Sequence, residues 1–207
     1  METLEAITLM LGADWASGVN LYATILVLSW MSGAGHIDLP PDLQVINNPM
    51  VLLAAGGMYC VEFFADKIPG LDTGWDALHT FIRIPVGAML AAGAANGVVD
   101  HQATELVALI LGGGITAASH TTKASARALI NTSPEPFSNW TASIGEDVAV
   151  IGGLWVGLQN PWWFLLALGV FIALVIWLLP KLLRTLRTLF RKIAGWFGGN
   201  KPATTTT

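Results

Sequence analysis

Ionisable side chains in this chain gather where apolar runs begin and end. Glu62 and Asp66 close one such run four residues apart, so on a helix both carboxylates share a face. Asp72, Asp76, His79 and Arg83 follow at spacings of four, three and four, which makes one polar stripe on a helix. A later run carries His120, Lys123 and Arg127, and the next opens Ser143-Ile144-Gly145-Glu146-Asp147. Facing lipid, such groups cost about 2.5–3.5 kcal/mol each, so they are expected to turn into a helix bundle. The chemistry that suits them is ion or proton handling. Glu62, Asp66, Asp76, Glu146 and Asp147 would hold a cation or a proton, and His79 and His120 would change protonation near neutral pH. Salt bridges near a membrane surface, with Lys123 and Arg127 snorkelling outward, account for the same residues without transport.

A second set is uncharged. Ser17 and Asn20 lie in one long run and Ser119 in another, beside His120. Both runs are interrupted by glycine: Leu11-Gly12-Ala13-Asp14 in the first, Leu111-Gly112-Gly113-Gly114 in the second. Glycine costs about 1 kcal/mol at an interior helix position, so both are expected to be broken. Broken helices expose free backbone groups that can replace a solute's hydration shell. The plainer alternative is interhelical hydrogen bonding, for about 1 kcal/mol. Asp76 and His79 could ligate a metal at i, i+3, but two ligands leave any metal unknown. The chain contains neither a Gly-Lys-Ser/Thr loop nor Gly-x-Ser-x-Gly, and neither an enzyme nor a cofactor is expected.

These residues must be positioned by membrane helices. Of 207 residues 54% are apolar and 12% charged, unlike a soluble domain. Six apolar stretches read as spans: Thr3–Ser32, Pro49–Ala65, Phe81–Val99, Thr104–Ile130, Thr141–Leu158 and Trp162–Leu179. All ten Lys and Arg fall in or beside Asp66–Thr80, Asn131–Trp140 and the tail after Pro180. Gly33–Asn48, Asp100–Ala103 and Gln159–Pro161 hold none, so the positive-inside rule places both termini in the cytoplasm. No cleaved signal peptide is expected, because the start lacks a basic stretch. Cys60, the one cysteine, reads as a buried structural thiol.

Each long run is followed by a loop with proline and an acid, Pro40-Pro41-Asp42 and Ser133-Pro134-Glu135, and then by two more spans. The expected fold is therefore an all-α membrane protein of six helices in two inverted three-helix repeats, residues 1–100 and 101–180. Pro180 should stop the sixth helix. Residues 181–198 should form an amphipathic helix on the cytoplasmic face, with Lys181, Arg184, Arg187, Arg191 and Lys192 toward anionic lipid headgroups. Residues 199–207 should be a disordered tail. Nucleic acid is not an expected partner; a homo-oligomer stays open.

The run from Phe63 to Pro85, FFADKIPGLDTGWDALHTFIRIP, resembles a family of small bacterial integral membrane proteins known only as a domain of unknown function. ASGVNLYAT and NTSPEPFSNWTASIGED carry the same resemblance, which implies a membrane location and no activity. Glu62 to Lys67 is also similar to the Glu-x-Gly-Asp-Lys-Ser/Thr of duplicated three-span cation exchangers, with one residue too many and no following Ser/Thr. That similarity implies only that Glu62 and Asp66 bind a cation. The reading is a bacterial inner-membrane protein that moves a small ionic solute, a cation or one coupled to protons, by alternating access. An anion or lipid-phosphate carrier using His120, Lys123 and Arg127 is one alternative, and a non-transporting scaffold is another.

Overall fold

Backbone polar groups in an apolar setting must be satisfied within the chain, which favours helices. A computed structural model of the chain describes residues 3–95, 102–132 and 136–197, and among them every regular element is helical. In order these are α1 (Thr3–Gly33), a 3-10 segment (Pro41–Asn47), α2 (Pro49–Ala65), α3 (Leu71–Ala95), α4 (Gln102–Ile130), α5 (Pro136–Gln159) and α6 (Pro161–Phe197). Four of them, α1, α3, α5 and α6, are long and apolar enough to cross a membrane, and α2 with the 3-10 segment, bent by 62°, is a fifth candidate. The 29-residue α4 has the length but carries His120, Lys123 and Arg127 inward, which lowers its hydropathy. The expected loops at Asp100 and at Ser133-Pro134-Glu135, and the tail from residue 198, lie outside the described residues.

The first helix is broken, as expected, but at Asn20 and in a way that reverses the chain. Asn20 has non-helical dihedrals (φ −149°, ψ 99°) and divides α1 into arms 3–19 and 21–33. Measured from Asn20, both arms run along α5 toward its C-terminal end. On the first, Trp15 abuts Gly153 and Gly12 lies against Leu154. At the division Asn20 meets Asp147. On the second arm Trp30 is back beside Trp155, with ring centroids 5.5 Å apart. Glu5 and Leu9 accordingly line one cavity with His36, Asp38 and Leu158. The chain has turned round at Asn20, so α1 is a helical hairpin and not one straight helix. Its arms are about 25 and 20 Å long at 1.5 Å per residue, each short of a hydrocarbon core of about 30 Å.

The expected break in the fourth run is absent. Residues 102–130 form one continuous helix, and Gly112 serves close approach. A Cβ on Gly112 would stand 2.3 Å from Ala91 Cβ and 2.8 Å from both Asp14 carboxylate oxygens. With α1 a hairpin and α4 a single helix, the two runs are not equivalent, and the expected inverted pair of broken spans is not found.

Smaller corrections follow from capping and packing. The third helix begins at Leu71, ten residues before the apolar stretch, because Asp72 Oδ1 accepts the Gly70 and Thr73 N–H groups at 2.9 and 2.7 Å. Pro180 does not stop α6, which continues through it to Phe197. Proline forfeits one backbone bond and can be carried inside a long helix. Cys60 is exposed, because it lies away from the face of α2 on which Ala55, Glu62 and Ala65 are buried.

Candidate ion site at the hairpin tip

A helix that ends inside a bundle leaves carbonyls without partners. The first arm of α1 ends in this way. Its Gly18 and Val19 carbonyls accept from Arg83 Nη1 at 3.4 and 3.1 Å, and Val19 also accepts from Lys123 Nζ at 3.1 Å. The negative end of a helix dipole thus meets two cations. Asn20 starts the second arm as its cap: Oδ1 accepts the Ala23 N–H at 3.0 Å, and its carbonyl accepts the Thr24 hydroxyl at 2.8 Å. The Asn20 amide donates to Asp147 Oδ1 at 3.0 Å, and Tyr59 donates to the other Asp147 oxygen at 3.1 Å.

Around this tip the expected residues converge. Lys123 Nζ lies 3.1 Å from Glu62 Oε1, 3.1 Å from Asp66 Oδ2, 3.4 Å from Glu146 Oε2 and 3.8 Å from Asp76 Oδ1. Arg83 pairs with Glu62 and, at 3.5 Å, with Asp76. Arg127 is bidentate to Glu146, at 3.0 and 2.7 Å, and donates to the Asp66 and Asn139 carbonyls. Among the described residues, then, four carboxylates share three cations in one network, and every member except Glu146 is buried. Glu62 Oε2, Asp66 Oδ1 and Asp76 Oδ2 still lack hydrogen-bond donors. Burial pushes the Asp66 carboxyl up, at the end of α2, with Lys123 pulling the other way.

The histidines do not behave as expected. His79 Nδ1 faces the Trp75 carbonyl at 2.9 Å, so that nitrogen carries the hydrogen and Nε2 accepts from the Tyr22 hydroxyl at 3.0 Å. His120 Nδ1 accepts from Arg83 at 3.3 Å, which puts the hydrogen on Nε2, toward the Asp76 carbonyl at 3.0 Å and Thr80 at 2.8 Å. A second proton on either ring would displace a donor already in place, so neither is arranged as a free proton switch. Asp76 and His79 turn to different partners and do not converge on a metal; among the described residues no three His, Cys, Asp or Glu do.

Ser119 lies where α1 and α4 touch: a Cβ on Gly18 would fall 2.5 Å from Ser119 Cβ and 2.5 Å from the Thr116 carbonyl. Among the described residues, the buried hydroxyls of Ser17 and Ser119 have no hydrogen-bond partners. Sequence reasoning placed Arg83 in the stripe but not in the site, although it is the cation that joins the tip to Glu62. It also passed over Asp14, Tyr59 and Tyr22. The signal for Asp14 was available: an acid in the middle of an apolar run belongs to the interior.

Comparison with curated proteins and with solved structures gives no match, so nothing supports the similarity to cation exchangers. The family model described as a domain of unknown function (DUF4126) does match, over residues 7–181, and the chain belongs to that family.

Proposed function

We propose that this protein is a secondary-transporter-like carrier in the bacterial inner membrane, moving a small cation or a solute coupled to protons. In this reading five helices, α2 to α6, cross the bilayer, and α1 dips in and returns on the face opposite the Lys- and Arg-bearing connections. The N-terminus is then external and the C-terminus cytoplasmic, which revises the expectation of two cytoplasmic termini. The exposed Lys181, Arg184, Arg187 and Arg191 at the end of α6 would lie against anionic headgroups.

The observation that carries the proposal is the helix reversal at Asn20 inside a charged cluster. Irregular backbone is tolerated at membrane depth only where protein or a cavity shields it, and such places build ion and substrate sites. A cation is favoured over an anion by the pattern of partners. Arg83, Lys123 and Arg127 are each engaged by carboxylates, whereas Glu62, Asp66 and Asp76 each keep an oxygen without a donor. An arrival of positive charge completes this set; an arriving phosphate would have to displace an acid. In transport terms the paired network is an occluded state, and alternating access would open it toward one face.

The second reading, a scaffold, draws on the same pairing, since buried ion pairs can simply fix helix register. Thermal unfolding of the purified protein separates the readings, because a ligand stabilises the state it binds by mass action. Monovalent or divalent cations should raise the melting temperature in a saturable way. Stabilisation by inorganic phosphate or a polyprenyl phosphate alone would select the anion carrier, and indifference to all of them the scaffold.

A further inference from the structure

One and a half helical turns before the tip, the first arm of α1 carries a carboxylate of a different kind. Asp14 is fully buried, and neither of its oxygens has a hydrogen-bond partner among the described residues. Its surroundings are backbone and small side chains. Both oxygens lie against Gly112 of α4 at the distance where a Cβ would stand 2.8 Å away, and Ala91 of α3 closes on the same glycine. Thr116 of α4 donates to the Asp14 carbonyl at 3.0 Å and not to its carboxylate. The rings of Phe164 and Phe171 of α6 pack on Trp15 next to it, and Gly153 of α5 abuts Trp15 as well. Among the described residues, neither Asp14 oxygen is bonded by a charged side chain of α3, α4, α5 or α6. One turn on lies Ser17, whose buried hydroxyl is also without a partner, as is that of Ser119 across the crossing.

We propose that Asp14 is a proton-binding site in the middle of the bundle. The proposal rests on the carrier reading and deepens it by naming the coupling ion. An ionised carboxylate walled by glycine and alanine, with no donor and no counter-charge, is an arrangement proteins avoid. A metal ion needs several oxygen ligands and room, and the packing of Gly112 leaves none. A proton needs neither: hydronium gives its proton to one Asp14 oxygen, leaving water, and the reverse step returns it when the site opens. The small side chains at Gly112 and Ala91 are what let the acid sit between α1, α3 and α4.

Infrared spectroscopy of the full-length protein in lipid, with aspartate carboxyls labelled by carbon-13, tests this. Near neutral pH the wild type should show the carbonyl stretch of an un-ionised aspartic acid that shifts with the label, is unchanged by sodium, and is missing from Asp14→Asn. If Asp14→Asn does not fold, Asp14→Glu in wild-type-like lipid should move the band from the aspartate label to a glutamate label. A wild type without such a band, or a band that survives Asp14→Asn, overturns the proposal. The two readings fail separately. Cation stabilisation of the protein with no Asp14 band would leave the carrier standing and remove the proton site; an Asp14 band without any stabilising ligand would do the reverse.

Discussion

Two levels of α1 treat buried carboxylates in opposite ways. At the tip, Glu62 lies between Arg83 and Lys123 with carbonyl dipoles behind them. Higher on the same arm, Asp14 has no cation and no donor. The tip is a network in which each charge holds several others, so it resists change. The upper site holds nothing through its carboxylate, so its occupancy can change without dismantling the bundle. The difference separates a tightly paired frame around the candidate ion site from an isolated acid on one hairpin, and mutations should reveal it as a gradient of cost.

The largest effect is expected from Lys123→Met. Lys123 lies within 3.1 to 3.8 Å of four carboxylates, and its loss leaves them facing one another. Removing one partner of a buried ion pair typically costs about 3–5 kcal/mol. A large fall in melting temperature in detergent would support the frame, and an unchanged one would break the comparison at its stronger end.

Next comes the contact that fastens the hairpin to α4. A side chain on Gly18 meets the Thr116 carbonyl and Ser119 at 2.5 Å, so Gly18→Val should lose about 1–3 kcal/mol by overpacking. Gly114, with nothing within 4 Å of its Cβ position, gives the control: Gly114→Ala should be neutral or up to about 1 kcal/mol stabilising. A loss at Gly114 equal to that at Gly18 would mean that Gly114 marks a flexible break in α4 after all.

Asn20→Ala is expected to cost about 1–2 kcal/mol through the lost cap on Ala23 and the lost bond to Asp147. That loss should be smaller than the Gly18 effect in the same unfolding assay. Cys60→Ala, on the exposed side of α2, should change stability by less than about 0.5 kcal/mol, and a larger change would show that this face is covered.

How much of this was legible in the sequence depends on which signal was asked to carry it. Hydropathy and prolines located α2 to the residue, because Asn48 and Pro49 provide both a cap and a first-turn proline. Helical spacing brought Glu62 and Asp66 to one face and Asp72 to Arg83 to another, and all of them are buried as expected. The hairpin was not legible, because an apolar window is blind to a backbone reversal at one residue. Asn20 looks the same as a polar residue in a crossing helix until its carbonyl and amide find partners. The glycines misled for a related reason: Gly112 costs helix propensity, but the approach of Ala91 and Asp14 offsets it. Asp14 was overlooked because its role depends on what surrounds it and not on a spacing.

The reversal of α1 is the claim on which the tip network and the Asp14 site both depend. It is tested most directly by labelling single cysteines, in a Cys60→Ala background, with a membrane-impermeant maleimide on right-side-out membrane vesicles. Thr3→Cys opens the first arm, and Thr188→Cys lies near the end of α6. Thr3→Cys should be labelled in intact vesicles and Thr188→Cys only after permeabilisation. Labelling of both positions only after permeabilisation would place the two termini together, restore α1 as a crossing and contradict the account.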